Sequence, residues 1–309
     1  MQYIYSTCSG TALAQLLATE YDLPHPVTCR LLRRGYNDQY IVTAGDQRYV
    51  LRVYLHGKYW IRGEGDLRFE LDMLDHLRSE GIGVACAIPR QNGERLGRLD
   101  APEGLRHYAL FTYAPGAPVA TYDAASSRRL GETIARIHVA SDRFVSPYSR
   151  YDLDLSMLID APIGRLAPFL TPEDLEFVKT TAEQVRGRLE NAEASWGYIH
   201  GDMHGGNNFV AEDGSITVFD FDHSGFGWRA YDLAAFLWGA EPDIKESFLA
   251  GYQSVRVLTE AELDLLPTFI TARAIWDYGD SAANVERWGT AAVERSAASM
   301  VKTLKELKA

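Results

Sequence analysis

The period of the apolar positions changes near residue 113. Before that point strand-like stretches dominate, at 27–34, 39–44 and 48–55, and Tyr49-Val50-Leu51-Arg52-Val53-Tyr54 alternates as a half-buried strand does. Further strands are expected around 87–91, 95–99 and 106–111. Two helices accompany them. The first is capped by Ser9 or Thr11, turns Leu13, Leu16 and Leu17 to one face, and ends before Pro24 and Pro26. The second spans 64–79 with Leu67, Leu71, Leu74 and Leu77 as its apolar stripe. Tyr113-Ala114-Pro115-Gly116 then interrupts the pattern. Beyond it the helical period takes over. Thr121 or Asp123 starts a helix with Leu130, Ile134 and Ile137 inward, and others follow at 172–193, 233–239, 243–252, 260–284 and 286–307. The pattern predicts an α+β chain, with an antiparallel sheet and helix in 1–112 and a mostly helical portion in 113–309.

One stretch fits neither period. Tyr198 to Asn208 (YIHGDMHGGNN) packs two His, one Asp, two Asn and three Gly into eleven residues. Each glycine inside a helix would cost roughly 1 kcal/mol against alanine, and Asp202, His204 and Asn207 in a core would need buried partners. A rigid polar loop remains. The next segment, NNFVAEDGSITVFDFD, reads as two short strands turning at Glu212-Asp213-Gly214. The hairpin returns Asp220 towards Asp202 and Asn207. An Asp, an Asn five residues later, and an Asp at the end of a short hairpin form the arrangement used for phosphoryl transfer. Asp202 suits orienting and deprotonating a hydroxyl. Asn207 and Asp220 offer the hard oxygens that magnesium takes beside substrate phosphates.

Composition narrows the partners. The 309 residues are 46% hydrophobic and 24% charged, and the formal charge of −11 argues against non-specific binding to nucleic acid or anionic membranes while suiting a cationic ligand. Cys8, Cys29 and Cys86 are too few and scattered for a disulfide framework or metal site, which points to reduced thiols and a cytoplasmic location. No signal peptide, membrane anchor, repeat or low-complexity tract is expected. Either a monomer or a homodimer is compatible with the sequence.

His200-Gly201-Asp202-Met203-His204-Gly205-Gly206-Asn207, then Phe219-Asp220-Phe221-Asp222, then Tyr231-Asp232-Leu233-Ala234, resembles the aminoglycoside phosphotransferase and choline kinase family, nearer to its homoserine-kinase-like and stress-response-kinase-like members. The resemblance implies a two-lobed, protein-kinase-like fold and transfer of the γ-phosphate of ATP or GTP, with magnesium, to a small-molecule hydroxyl. It implies that Arg33-Arg34-Gly35-Tyr36-Asn37-Asp38 covers the phosphates, although that loop holds one glycine and equally reads as a plain hairpin turn. Where the family carries its phosphate-binding lysine this chain has Arg52, with Glu70 as expected partner and Lys58 as a substitute candidate; an ordinary strand-surface arginine is the plainer reading. Backbone groups from Leu110 to Tyr113 are expected to read adenine at the hinge. Asp232 is expected to brace the catalytic loop, to cap a helix, or both; His200 and His204 to support the loop; and His138 to lie in the core.

The acceptor site is sought in the later helices. Trp276, Asp277 and Asp280 share or adjoin one helix face, and with Asp222 they suit an ammonium-bearing substrate of the aminoglycoside, homoserine or choline kind. A solvated acidic face with Trp276 in the core is the alternative. Three rival readings stay open: a metallohydrolase using His200, Asp202 and His204 with Asp220 or His223, a kinase-shaped protein without catalysis, and a protein Ser/Thr kinase. The brevity of His223 to Arg229 and the lack of an Ala-Pro-Glu pattern favour small acceptors over protein.

Overall fold

A computed structural model describes residues 3–308. The chain forms two compact units. One comprises the residues through Ala117 together with Phe144–Ser149 and Asn208–Phe219; the other comprises Pro118–Arg143, Arg150–Asn207 and the residues from Asp220 onward. The sequence suggested one boundary at 112/113, whereas the units interleave. The hairpin Asn208–Val210 with Ile216–Val218 bridges to Ala117 and Val84, so it joins the first unit although it comes late in the chain.

The first unit is built on an antiparallel sheet of β1 (Val27–Arg34), β2 (Asn37–Ala44), β3 (Gln47–Tyr54), β4 (Gly97–Ala101) and β5 (Gly104–Thr112), in the order β1-β2-β3-β5-β4. Residues 87–91 are not the strand the sequence suggested. Ala87 makes one isolated bridge to Phe111, and Pro89, which lacks an N–H, cannot extend the ladder. Leu13, Leu17 and Tyr21, from and just beyond helix α1 (Gly10–Glu20), pack with Tyr40, Val42, Leu51, Val53, Tyr108 and Leu110. Side chains alternate across a strand, so Arg52 stands on the face opposite Leu51 and Val53. There it meets Glu70 of helix α2 (Glu64–Ser79).

The second unit holds a small sheet in which Gly225–Trp228 lies parallel to Asp152–Leu153 and antiparallel to Trp196–Ile199. Around it run Ala124–Ser141, Pro172–Leu189, Arg229–Leu237, Pro242–Gln253, Glu260–Asp280 and Thr290–Lys308. Asp123 starts the first of these with a capping box to Ser126. The expected single helix over 286–307 is broken at Gly289, whose φ of 83° cannot continue a right-handed helix. A second capping box, Thr259 with Glu262, begins Glu260–Asp280, and the Glu262 carboxylate also accepts the Ser195 amide just before the strand Trp196–Ile199. No helix among the described residues is long and apolar enough to cross a membrane.

Candidate active site

Ile199 pairs opposite Gly225 in antiparallel register. The exit of the first strand and the entry of the second therefore fall at one end of the sheet. The exit carries His200, Gly201 and Asp202; the entry carries Asp220 to Ser224. The two segments touch, with the rings of His200 and Phe221 4.4 Å apart. Gly201 has φ 77° and passes so close to the His223 carbonyl that a Cβ would collide with it. Arg150, buried, fixes the second segment by donating to the carbonyls of Phe221, Asp222 and Ser224.

The loop is braced from beneath. Asp232, fully buried, accepts the amides of His200 and Gly201, each at 2.7 Å. It lies within the first turn of a helix whose cap position is Trp228, so of its two expected roles it takes the loop brace and not the cap. His138, in the core as expected, stands 3.1 Å from the same carboxylate and 2.8 Å from the Tyr252 hydroxyl. Burial lowers the His138 pKa and keeps the ring neutral. Its Nε2–H then donates to Asp232 and Nδ1 accepts from Tyr252. Burial alone would raise the pKa of Asp232, but the His138 hydrogen bond and the loop amides pull it below the usual range.

Asp202 is held on both carboxylate oxygens. Oδ1 accepts from Arg273; Oδ2 accepts from Asn207 Nδ2 at 3.1 Å and lies 3.6 Å from His204 Nε2. His200 Nδ1 accepts the Asp202 amide and His204 Nδ1 accepts the Gly206 amide. Burial works against ionisation of Asp202, yet the Arg273 guanidinium, aided by His223 and His204, keeps the carboxyl well below the usual carboxylate range. Arg273 also donates to the Gly201 carbonyl at 2.8 Å and to Asp277 at 3.1 Å, and it lies 4.9 Å over the Trp276 ring. Sequence reasoning passed over Arg273. The available signal was an arginine within the apolar run Phe269-Ile270-Thr271-Ala272-Arg273-Ala274-Ile275-Trp276, since a charge placed there needs a buried partner.

Two oxygen donors stand beside this carboxylate. Asn207 spends Nδ2 on the Asp202 carbonyl and carboxylate, which turns its own Oδ1 the other way. Asp220 is the one non-glycine residue among the described residues with positive φ (64°), in the left-handed region at the foot of the hairpin. Such a conformation costs an L-residue about 1–2 kcal/mol and concentrates at functional positions. A carboxylate and an amide oxygen fit magnesium, which needs few protein ligands when phosphates supply the rest. The described residues contain no group of three His, Cys, Asp or Glu side chains arranged to hold a metal. With both His Nδ1 atoms taken by backbone amides, the geometry gives the metallohydrolase reading no support.

Of the expected acceptor residues, Trp276 is buried with its ring edge-on to His223 at 4.9 Å, and its indole N–H has no acceptor. Asp222 and Asp280 are buried, and Asp277 is exposed and bonded to Arg273. In the first unit, Arg52 donates to Glu70 at 2.6 Å, both buried, with its guanidinium 4.8 Å from the Phe111 ring centre. Lys58 is buried against the rings of Tyr54 and Trp60. Leu110 is fully buried and its carbonyl accepts from the Ile88 amide, whereas Tyr113 is the first residue past β5.

A family model described as a phosphotransferase enzyme family matches residues 28–266. The chain is 38% identical over 305 residues to an uncharacterized protein of Deinococcus radiodurans, covering 94% of this chain and 87% of that one. It is 29% identical over 289 residues to a homoserine kinase of Agrobacterium fabrum, covering 88% and 84% respectively. Among solved structures, a microcompartment-associated aminopropanol kinase matches with a TM-score of 0.81 at 26% identity, over 96% of each chain.

Proposed function

This chain belongs to the phosphotransferase enzyme family, and from that premise we propose that it moves the γ-phosphate of ATP, with magnesium, to the hydroxyl of a small amine-bearing acceptor. The observation that carries the reading is Asp202: ionised against Arg273, tied to Asn207, and set on a loop whose amides Asp232 holds. With its pKa depressed, Asp202 accepts a hydrogen bond from the acceptor hydroxyl and aims its oxygen. A loose phosphoryl-transfer transition state demands little proton removal before the bond to phosphorus forms. Asn207 Oδ1 and the Asp220 carboxylate would hold magnesium, which when bound offsets phosphate charge. Arg52, steadied by Glu70, would take the nucleotide phosphates, and backbone groups at Tyr113 the adenine. Asp277 is the exposed carboxylate offered to an acceptor amine. The three free thiols favour a cytoplasmic setting.

The amine-bearing acceptor draws support from the relatives, since homoserine and aminopropanol each carry a hydroxyl and an amine. The test is acceptor-dependent ADP release from magnesium-ATP, with GTP in parallel, over amino alcohols, homoserine, choline and aminoglycosides. Turnover of an acceptor, lowered about 10³-fold in Asp202→Asn, is expected. Absence of acceptor-dependent release, or an Asp202→Asn variant at the normal rate, overturns the reading.

A further inference from the structure

We infer that the segment Phe144–Ser149 is a clamp on helix α2 that sets Glu70 against Arg52, with Phe144 and Ser146 as positioning residues for the nucleotide grip; this rests on the phosphotransferase reading above. These six residues pack in the first unit, whereas Arg143 before them and Arg150 after them belong to the second. Alternate side chains of the segment meet the helix. The Phe144 ring stands 5.2 Å from that of Phe69, edge-on, and 5.3 Å from that of His76. The Ser146 hydroxyl donates to Asp72 at 3.1 Å, and the Tyr148 ring lies 5.9 Å from the Arg68 guanidinium and against Gly65. Val145, between Phe144 and Ser146, is 89% exposed.

The touched positions form a stripe of their own. Gly65, Phe69, Asp72 and His76 follow one another at the three- and four-residue steps that mark one face of a helix. Leu67, Leu71, Leu74 and Leu77 form the other, buried stripe, and Glu70 lies with them. Phe69 stands off that stripe and is still only 4% exposed, with Phe144 packed on it. Consecutive helix residues point about 100° apart, so α2 is gripped from two sides, through Phe69 on one and beside Glu70 on the other. Arg95 adds to the hold by donating to the second Asp72 oxygen at 2.5 Å and to Asp75. A carboxylate about 5–6 Å from the helix axis moves by about 2 Å for a turn of about 20°. Such a shift breaks the 2.6 Å hydrogen bond between Arg52 and Glu70. The aim of the guanidinium fork therefore depends on residues 74 positions along the chain from the helix they hold.

The test is the dissociation constant of magnesium-ATP for the full chain, by calorimetry and without acceptor, in a double-mutant cycle between Phe144→Ala and Arg52→Ala. Phe144→Ala should weaken binding about fivefold where Arg52 is present and less than about twofold where it is absent, because a residue that positions the arginine then has nothing left to position. Phe144→Leu, which refills most of the volume against Phe69, should return affinity to within about twofold of wild type. Ser146→Asp sets a second carboxylate beside Asp72 at a half-buried position, which pushes the segment off the helix. It should repeat the Arg52-dependent loss, and it decides the matter if Phe144→Ala does not fold. Affinity within about twofold of wild type in the folded variant, or an equal loss with and without Arg52, overturns the clamp; the phosphotransferase reading then stands on acceptor-dependent ADP release. Wild-type affinity in Arg52→Ala overturns the clamp as well. Failure of the unaltered chain to bind magnesium-ATP overturns both.

Discussion

His138 donates its Nε2–H to Asp232 at 3.1 Å, and the same carboxylate oxygen accepts the His200 amide at 2.7 Å, so one buried oxygen joins a helix to the loop that carries Asp202. Asp232→Ala would leave two amides and an imidazole N–H without their acceptor, at a cost of about 3–5 kcal/mol. The chain should also lose stability on acidification. The folded state holds His138 neutral because burial depresses its pKa, while the unfolded chain takes up a proton below about pH 6.5. The contribution of His138 is whole above that pH and declines as pH falls towards the depressed folded value. Asp232, also depressed in the fold, adds a loss below roughly pH 4. Urea midpoints at pH 7 and pH 5 should show a smaller drop in His138→Gln than in wild type; equal drops would remove His138 from the account.

Asp220→Gly should separate stability from activity. Glycine adopts φ 64° without the steric penalty, so the variant should gain up to about 1 kcal/mol in denaturant unfolding. If Asp220 supplies a magnesium oxygen, the magnesium needed for half-maximal rate should rise at least tenfold. Unchanged magnesium dependence would remove that assignment.

Arg52→Lys asks whether the guanidinium fork matters. Lysine keeps the charge and loses the bidentate geometry that can join Glu70 to a phosphate. ATP affinity by calorimetry should fall by about three- to tenfold, and Arg52→Ala should cost more because Glu70 is then buried alone. Wild-type ATP affinity in Arg52→Ala would reduce the arginine to a structural ion pair.

Gly201→Ala should be among the most damaging single changes in the loop. Its Cβ would meet the His223 carbonyl, and φ 77° already penalises any side chain. A loss of roughly 2–4 kcal/mol and a collapse of kcat are expected. Wild-type melting would show that the loop can shift without penalty.

The parts of the site that were legible in the sequence are those where chemistry dictates residue type over a short span. Asp202 and Asn207 stand five residues apart and bond directly, and Asp-Gly marks the hairpin that brings the chain back. Arg273 escaped notice because its partner lies 71 residues away and pairing across such a span leaves no local period. Asp232 was ambiguous because only the helix start, at Arg229, decides whether it can cap. The strand expected at 87–91 and the unbroken last helix failed for local reasons, a proline and a glycine, each written in the sequence but outweighed there by apolar pattern. The antiparallel sheet and helices of the first unit came through because period-2 and period-3.6 patterns record burial directly.

Asn207 is the last residue of the second unit before the hairpin, and Asp220 is the first after it. The chain changes unit at five points along its length, at 117/118, 143/144, 149/150, 207/208 and 219/220. No single recombination breakpoint can therefore exchange one whole unit and leave the other intact. A crossover within 118–207 would inherit the sheet from one parent and the hairpin that completes that unit from the other. Designed chimeras should therefore place their joins in pairs that flank the hairpin.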